Sequence, residues 1–303
     1  GAALMIGILA GQGGGYFEMV KKVIEAYPTH VPPAGQAPIL GLNQPSVLTI
    51  ISLVFMTSFG TWGLPQMTQK FYAIKNEKVI PKAAIVTTIF ALMIGFAAYS
   101  TGAFSHVFFN LDTVPQKDGR ILYDLIVPTL LTTKLPDLLV ALIMLLILSA
   151  SMSTLSSLVL VSSSAIAIDL APVKLETKTG KDHSVAMMRF LSGVFIVISY
   201  FISRFQISII VYLMSLSWGA VSGSFAAPYI LGLYSKKVTK AGAYAGLIAG
   251  LAVEIALFFI LGASNSPLSA SIAIIVPFIV VPVVSSFTKA PEKEILDKAF
   301  EGI

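Results

Sequence analysis

The sequence predicts an all-α polytopic membrane protein, and three observations predict it. Of its 303 residues, 56% are hydrophobic and only 12% charged, where a soluble domain carries about a quarter charged residues. Mean hydropathy is +0.86. Apolar runs near the roughly 20 residues needed to cross a hydrocarbon core recur along the whole chain. This composition excludes an ordinary soluble domain and a disordered chain. There are 0 Cys, so disulfides, thiolate metal sites and Cys nucleophiles are excluded. His30, His106 and His183 lie far apart in sequence and leave little room for a zinc site.

Eight apolar segments are expected, over about 1–24, 46–72, 82–109, 137–170, 185–204, 207–234, 240–262 and 267–288. The first is short of apolar length and opens at Gly1 inside a hydrophobic run, with neither a start Met nor a signal-peptide pattern. It reads as a chain entered partway through a helix, with an N-terminal part missing. The loop over about 110–136 carries a short apolar piece, Ile121 to Leu131, interrupted by Pro128. That piece is too short to span and is expected as an outer-surface helix.

Charge sets the orientation. Lys70, Lys75, Lys78 and Lys82 share one loop, and Lys174, Lys178, Lys181 and Arg189 another. Lys236, Lys237 and Lys240 form a third cluster, and Lys289, Lys293 and Lys298 lie in the tail. These loops alternate, so they face the cytoplasm by the positive-inside rule, as does the C-terminus. The net charge of +5 is then a matter of topology, and no nucleic-acid partner is expected. The expected place is a cell membrane, crossed several times.

Three segments depart from plain apolar helices. The second reads Phe55-Met56-Thr57-Ser58-Phe59-Gly60-Thr61-Trp62-Gly63-Leu64-Pro65-Gln66. Gly and Pro weaken a helix in mid-span. An unwound backbone survives in a membrane only inside protein or facing a watery cavity, as in the broken helices of transporters. A Pro-kinked helix without a ligand is the other reading. In the fourth segment Ala150, Ser153, Thr154 and Ser157 fall at i, i+3, i+4 and i+7, on one small, oxygen-rich face. Hydroxyls of Ser153 and Thr154 with the Ala150 carbonyl suit a hard monovalent ion. The same face also suits close helix packing. In the sixth, Ser215, Ser217, Trp218, Gly219, Ser222, Gly223, Ser224 and Pro228 suit either a cavity wall or packing.

In the seventh, Gly242, Gly246 and Gly250 stand at four-residue spacing, a helix-contact pattern. Glu254 is an intramembrane carboxylate and so a functional candidate, but it lies about 14 residues from the start of that helix, roughly 21 Å along it, which favours a structural role near the outer interface, within reach of water. Asp169 is expected as an anchor or cap at the cytoplasmic end of the fourth segment. No paired intramembrane carboxylates, His–Asp pair or Ser–Lys dyad occurs, so an enzyme is not expected.

The run IISLVFMTSFGTWGLPQMTQKFYAIKNEK, followed by SASMSTLSSLVLVSSSAIAIDL, resembles the sodium:solute symporter family, and LGLYSKKVTKAGAYAGLIAG is similar to that family's helix-loop-helix near the C-terminus. The resemblance covers nearly the whole chain. It implies a LeuT-type inverted-repeat fold. Residues 1–26 would be the end of the fifth core helix, truncated, and 45–234 the second inverted repeat with its long outer loop. Residues 239–288 would be two peripheral helices and 289–303 a cytoplasmic tail.

The resemblance further implies sodium ligation by the Ala150 carbonyl and the Ser153 and Thr154 hydroxyls. It implies a small organic solute near Thr57, Thr61, Trp62 and Pro65, with Ser215 and Trp218 as further candidates. Proline transporters of the family carry aromatic residues where Thr57 and Thr61 align. The expected function is a sodium-coupled symporter working by alternating access in the bilayer. A solute-sensing module of the same fold and a proton-coupled transporter are the alternatives. Because the first core helix is absent, the chain by itself is not expected to transport.

Overall fold

The computed structural model describes residues 2–26, 47–72, 74–110, 112–117, 120–170, 184–205 and 210–300. His30, His183 and the Lys174, Lys178 and Lys181 cluster lie outside them. The described chain is helical almost throughout. Its helices are α1 (Ala2–Gln12), α2 (Tyr16–Ala26), α3 (Val47–Phe59), α4 (Pro65–Tyr72), α5 (Ile80–Phe108), α6 (Tyr123–Lys134) and α7 (Asp137–Ser164). They continue with α8 (Ser184–Phe205), α9 (Ile210–Tyr234), α10 (Lys240–Leu261), α11 (Ser266–Ser286) and α12 (Lys293–Ala299). A two-residue ribbon, β1 (Gln116–Lys117) with β2 (Arg120–Ile121), precedes α6.

Among the described residues six spans are long and apolar enough to cross a membrane: Glu77–Phe108, Asp137–Leu170, Ser184–Arg204, Ile210–Tyr234, Lys240–Leu261 and Ala263–Ser286. The remaining two expected segments are shorter apolar helices, Ala3–Gln12 and Leu48–Gly63. The first segment departs from the sequence expectation. It folds as two helices, because Gly14 (φ 94°) and Gly15 (φ 114°) take the left-handed backbone that ends α1. Gly15 N–H donates to Ala10 O at 2.8 Å and Lys22 Nζ to Gly13 O at 2.8 Å, which closes the turn.

Contacts divide the chain into two compact units, Gly1–Val31 with Lys75–Ile207, and Pro32–Ile74 with Ser208–Ile303. In the first, α6 is the short helix, interrupted by Pro128, that the sequence leads one to expect before α7. Its Leu130 packs with Leu9, Ala10, Met19 and Phe104 of α1, α2 and α5. Asp137 in the first turn of α7 complements that helix's N-terminal dipole. α7 passes into a π-helical turn over Ala165–Leu170, where Asp169 is exposed. Ser163 Oγ and Ser192 Oγ meet at 3.0 Å between α7 and α8.

The second unit is a close bundle of α9, α10 and α11, with the α3–α4 segment laid against it. Thr239 caps α10, its Oγ1 accepting from Gly242 N at 3.1 Å. Small residues set the crossing distances. A Cβ at Gly242 would stand 2.8 Å from Val281 O, and one at Gly246 would strike the Val281 side chain. One at Gly250 would strike the Gly223 carbonyl and stand 2.8 Å from Ser224 N. The four-residue glycine spacing is therefore a helix-contact face, as its sequence implies. The charged tail, read only as a tail from sequence, forms α12. Lys236 Nζ lies 5.1 Å from the Phe300 ring centroid, just past that helix.

Candidate solute and ion sites

The second segment is broken, as its glycines and proline require. α3 ends at Phe59, and Gly60–Gly63 wind as a single 3₁₀ turn. Leu64 is extended (φ −80°, ψ 118°), and Pro65 opens α4. Pro is well suited to a first helical position, since that N–H has no helical acceptor. The kink is thus an interruption, with carbonyls freed from the α-helical ladder.

α9 holds the interruption. Gly60 O accepts a short hydrogen bond from Ser222 Oγ. Gly63 lies on α9: its Cβ position is 2.8 Å from Ser222 Cα and from Ala226 N and Cβ. Trp218 covers the other end, its ring edge 3.5 Å from the Cβ position of Gly60. Only a residue without a side chain at Gly63 lets the turn approach α9 this closely, whereas a Cβ at Gly60 would make ordinary contacts. Ser271 Oγ anchors α3 by donating to Ser52 O at 3.0 Å.

The proposed solute residues sort by exposure. Trp62 is 55% exposed, and Thr57, Thr61, Pro65 and Trp218 are partly exposed. The two threonine hydroxyls donate to their own helix, Thr57 Oγ1 to Leu53 O at 2.7 Å and Thr61 Oγ1 to Ser58 O at 3.1 Å. Their lone pairs remain for a ligand. Phe55, Phe59 and Trp62 form a row, with centroids 4.7 Å and 4.9 Å apart in turn. Phe55 and Phe59 were not singled out from sequence, although their i, i+4 spacing carried the signal. Ser215 is fully buried and donates to Val211 O at 2.7 Å, so here it belongs to the packed face of α9. Ser222 was noted in sequence only as one small polar residue among several.

Replacing Ser222 with Ala would leave the Gly60 carbonyl buried without its side-chain donor. The 3₁₀ turn still offers Gly60 O a backbone donor, so the loss is one buried hydrogen bond, about 0.5–1.5 kcal/mol. We expect Ser222→Ala to lower the unfolding transition of the purified protein by that amount. Ser224→Ala, which removes only a donor to Ala220 O within α9, serves as the comparison.

The candidate ion residues lie in the other unit, on α7, and all three are exposed. Thr154 Oγ1 donates to Ala150 O at 3.1 Å, so two of the three oxygens already stand together. Ser153 Oγ has no hydrogen-bond partner among the described residues, and Ser153 O accepts from Ser157 Oγ at 3.0 Å. Such bonds back to the preceding turn are how hydroxyls are satisfied within a helix. Among the described residues no His, Cys, Asp or Glu cluster able to hold a metal occurs. The oxygens available to a cation here are hydroxyl and carbonyl.

Glu254 departs from the sequence expectation. It is fully buried between α9, α10 and α11, and neither carboxyl oxygen has a hydrogen-bond partner. Its depth along α10 was legible, but the neighbours that close over it were not.

Long apolar helices, six of them among the described residues long enough to cross a membrane, define a polytopic helical membrane protein. The chain belongs to the sodium:solute symporter family, whose model matches residues 1–250. It is 27% identical over 266 residues to the high-affinity proline transporter PutP of Bacillus subtilis (strain 168), covering 84% of this chain and 52% of that protein. It is 28% identical to sodium/proline symporter 2 of Staphylococcus saprophyticus over 213 residues, 69% of this chain and 41% of the relative. Over the same length it is 29% identical to a sodium/proline symporter of Staphylococcus aureus, with the same two shares covered. The chain spans about half the length of these relatives or less. The family and these relatives are transporters, not enzymes.

Proposed function

We propose that the protein carrying this chain is a secondary transporter that couples sodium entry to uptake of a small organic solute. The observation that carries the ion reading is the exposed α7 face where Thr154 Oγ1 meets Ala150 O beside the Ser153 hydroxyl. Sodium on this face would favour one of two states and so raise solute affinity, which is a coupling free energy and not a chemical step. The solute would sit along Thr57, Thr61, Trp62 and Pro65, with Trp218 opposite the break. The names of the relatives make proline the first solute to try. Ser215 would join only if α9 turned. The second inverted repeat over 45–234, the peripheral pair over 239–288 and the cytoplasmic C-terminus complete the reading, supported by family membership and the alternating basic loops.

The test uses the intact protein. A ligand that binds only the folded state stabilises it by mass action, about 2.7 kcal/mol at a hundred times its dissociation constant. Thermal unfolding in sodium against choline should show a sodium-specific rise that Thr154→Ala removes. An equal rise in the variant would sink the ion assignment.

A further inference from the structure

One buried group has no part in the sites above. Glu254 is fully enclosed and both its carboxyl oxygens lack a partner. It lies at a close part of the packing of α9, α10 and α11. A Cβ on Gly219 would strike its carboxyl and stand 2.8 Å from Ala270 Cα. One turn along, Gly250 meets the Gly223 backbone. The space leaves no room for water.

No countercharge faces it from the described elements packed there. In α9 the titratable side chains are Tyr212, Tyr229 and Tyr234, two turns or more from Gly219. In α10 the others are Lys240 and Tyr244, at the opposite end. α3 and α11 carry none. Buried hydroxyls on α9 and α11 donate to backbone carbonyls: Ser215 to Val211 O, Ser222 to Gly60 O, Ser266 to Tyr212 O and Ser269 to Asn265 O.

An ionised carboxylate enclosed without a partner costs several kcal/mol, so a positive charge belongs on it. A metal ion needs a shell of several oxygens. Glu254 Oε1 and Oε2 have no hydrogen-bond partner, the carboxyl lies against Gly219, which has no side chain to offer, and among the described residues no cluster of His, Cys, Asp or Glu able to hold a metal occurs. A proton needs no shell. We propose that Glu254 is a proton-binding site, loaded in the close crossing seen here and emptied when α10 draws away from α9. Gly219, against which the carboxyl lies, adjoins Trp218 and is one turn from Ser222. Those two residues brace the Gly60–Gly63 break, so loading of Glu254 acts on the element that carries the broken segment. This coupling rests on the transporter reading above; the proton site itself does not.

Infrared spectroscopy of the intact protein in lipid at neutral pH tests the site directly. A protonated-carboxyl band is expected in the wild type and its complete loss in Glu254→Gln. The absence of that band from the wild type, or its survival in Glu254→Gln, would overturn the proposal. If Glu254→Gln fails to fold, Glu254→Asp should shift the band, and a band left in place would overturn it equally. For the coupling, sodium-driven uptake in Glu254→Gln should lose its pH dependence while uptake persists. An unchanged pH profile would refute the coupling. Absence of uptake from both proteins would defeat the symporter reading and leave the infrared result to decide the proton site.

Discussion

Gly250→Ala should be among the most destabilising single-methyl changes in the chain. The added carbon would meet the carbonyl and carbonyl carbon of Gly223 and stand 2.8 Å from Ser224 N. These are backbone atoms of a helix, with no side chain to rotate aside. Overpacking of this kind costs about 1–3 kcal/mol, and more where nothing yields. We expect a loss near about 3 kcal/mol in reversible unfolding, and no folded protein from Gly250→Leu. Gly232→Ala is the control. Its Cβ would meet nothing within 4 Å, and alanine is the better helix former by about 1 kcal/mol. That variant should be neutral or more stable. Equal effects at 232 and 250 would show that α9 and α10 do not cross at Gly223.

Gly63→Ala should abolish solute binding while leaving the fold largely in place. Its Cβ would stand 2.8 Å from Ser222 Cα and from Ala226 N and Cβ. The turn over 60–63 must then lift from α9, and the Ser222–Gly60 hydrogen bond lengthens or breaks. The packing cost is again about 1–3 kcal/mol, but it falls on the segment that lines the proposed solute site. Solute binding at saturating sodium is the readout. Adding Ala226→Gly removes one of the three obstructing atoms, so rescue should be partial. Full rescue would mean that the α9 backbone can move, and undiminished binding in Gly63→Ala would place the solute elsewhere.

These two glycines show where the sequence was informative. The break at Gly60–Gly63 and Pro65 was legible because it is local. Glycine and proline spoil an α-helix by their own backbone chemistry, whatever surrounds them. The contact face at Gly242, Gly246 and Gly250 was legible because helical period alone puts those residues on one side. The short helix over Tyr123–Lys134 was likewise readable, from apolar length and Pro128. Two helices in place of one at the start were signalled by Gly13-Gly14-Gly15, although apolar length was the guide followed there.

By itself the sequence determined the class: a helical membrane chain, with one span interrupted and one hydroxyl-lined face on α7. Each follows from composition, length or periodicity, which are properties of a segment alone. Only the tertiary structure decided that Ser222, 162 residues from Gly60, braces the break. Only it turned Ser215 inward and set Gly219 against the buried Glu254, and it gathered α3 and α4 with α9, α10 and α11. The physical reason is the same in each case. Periodicity says which residues share a face, but which neighbour that face meets depends on crossings between segments far apart in the chain.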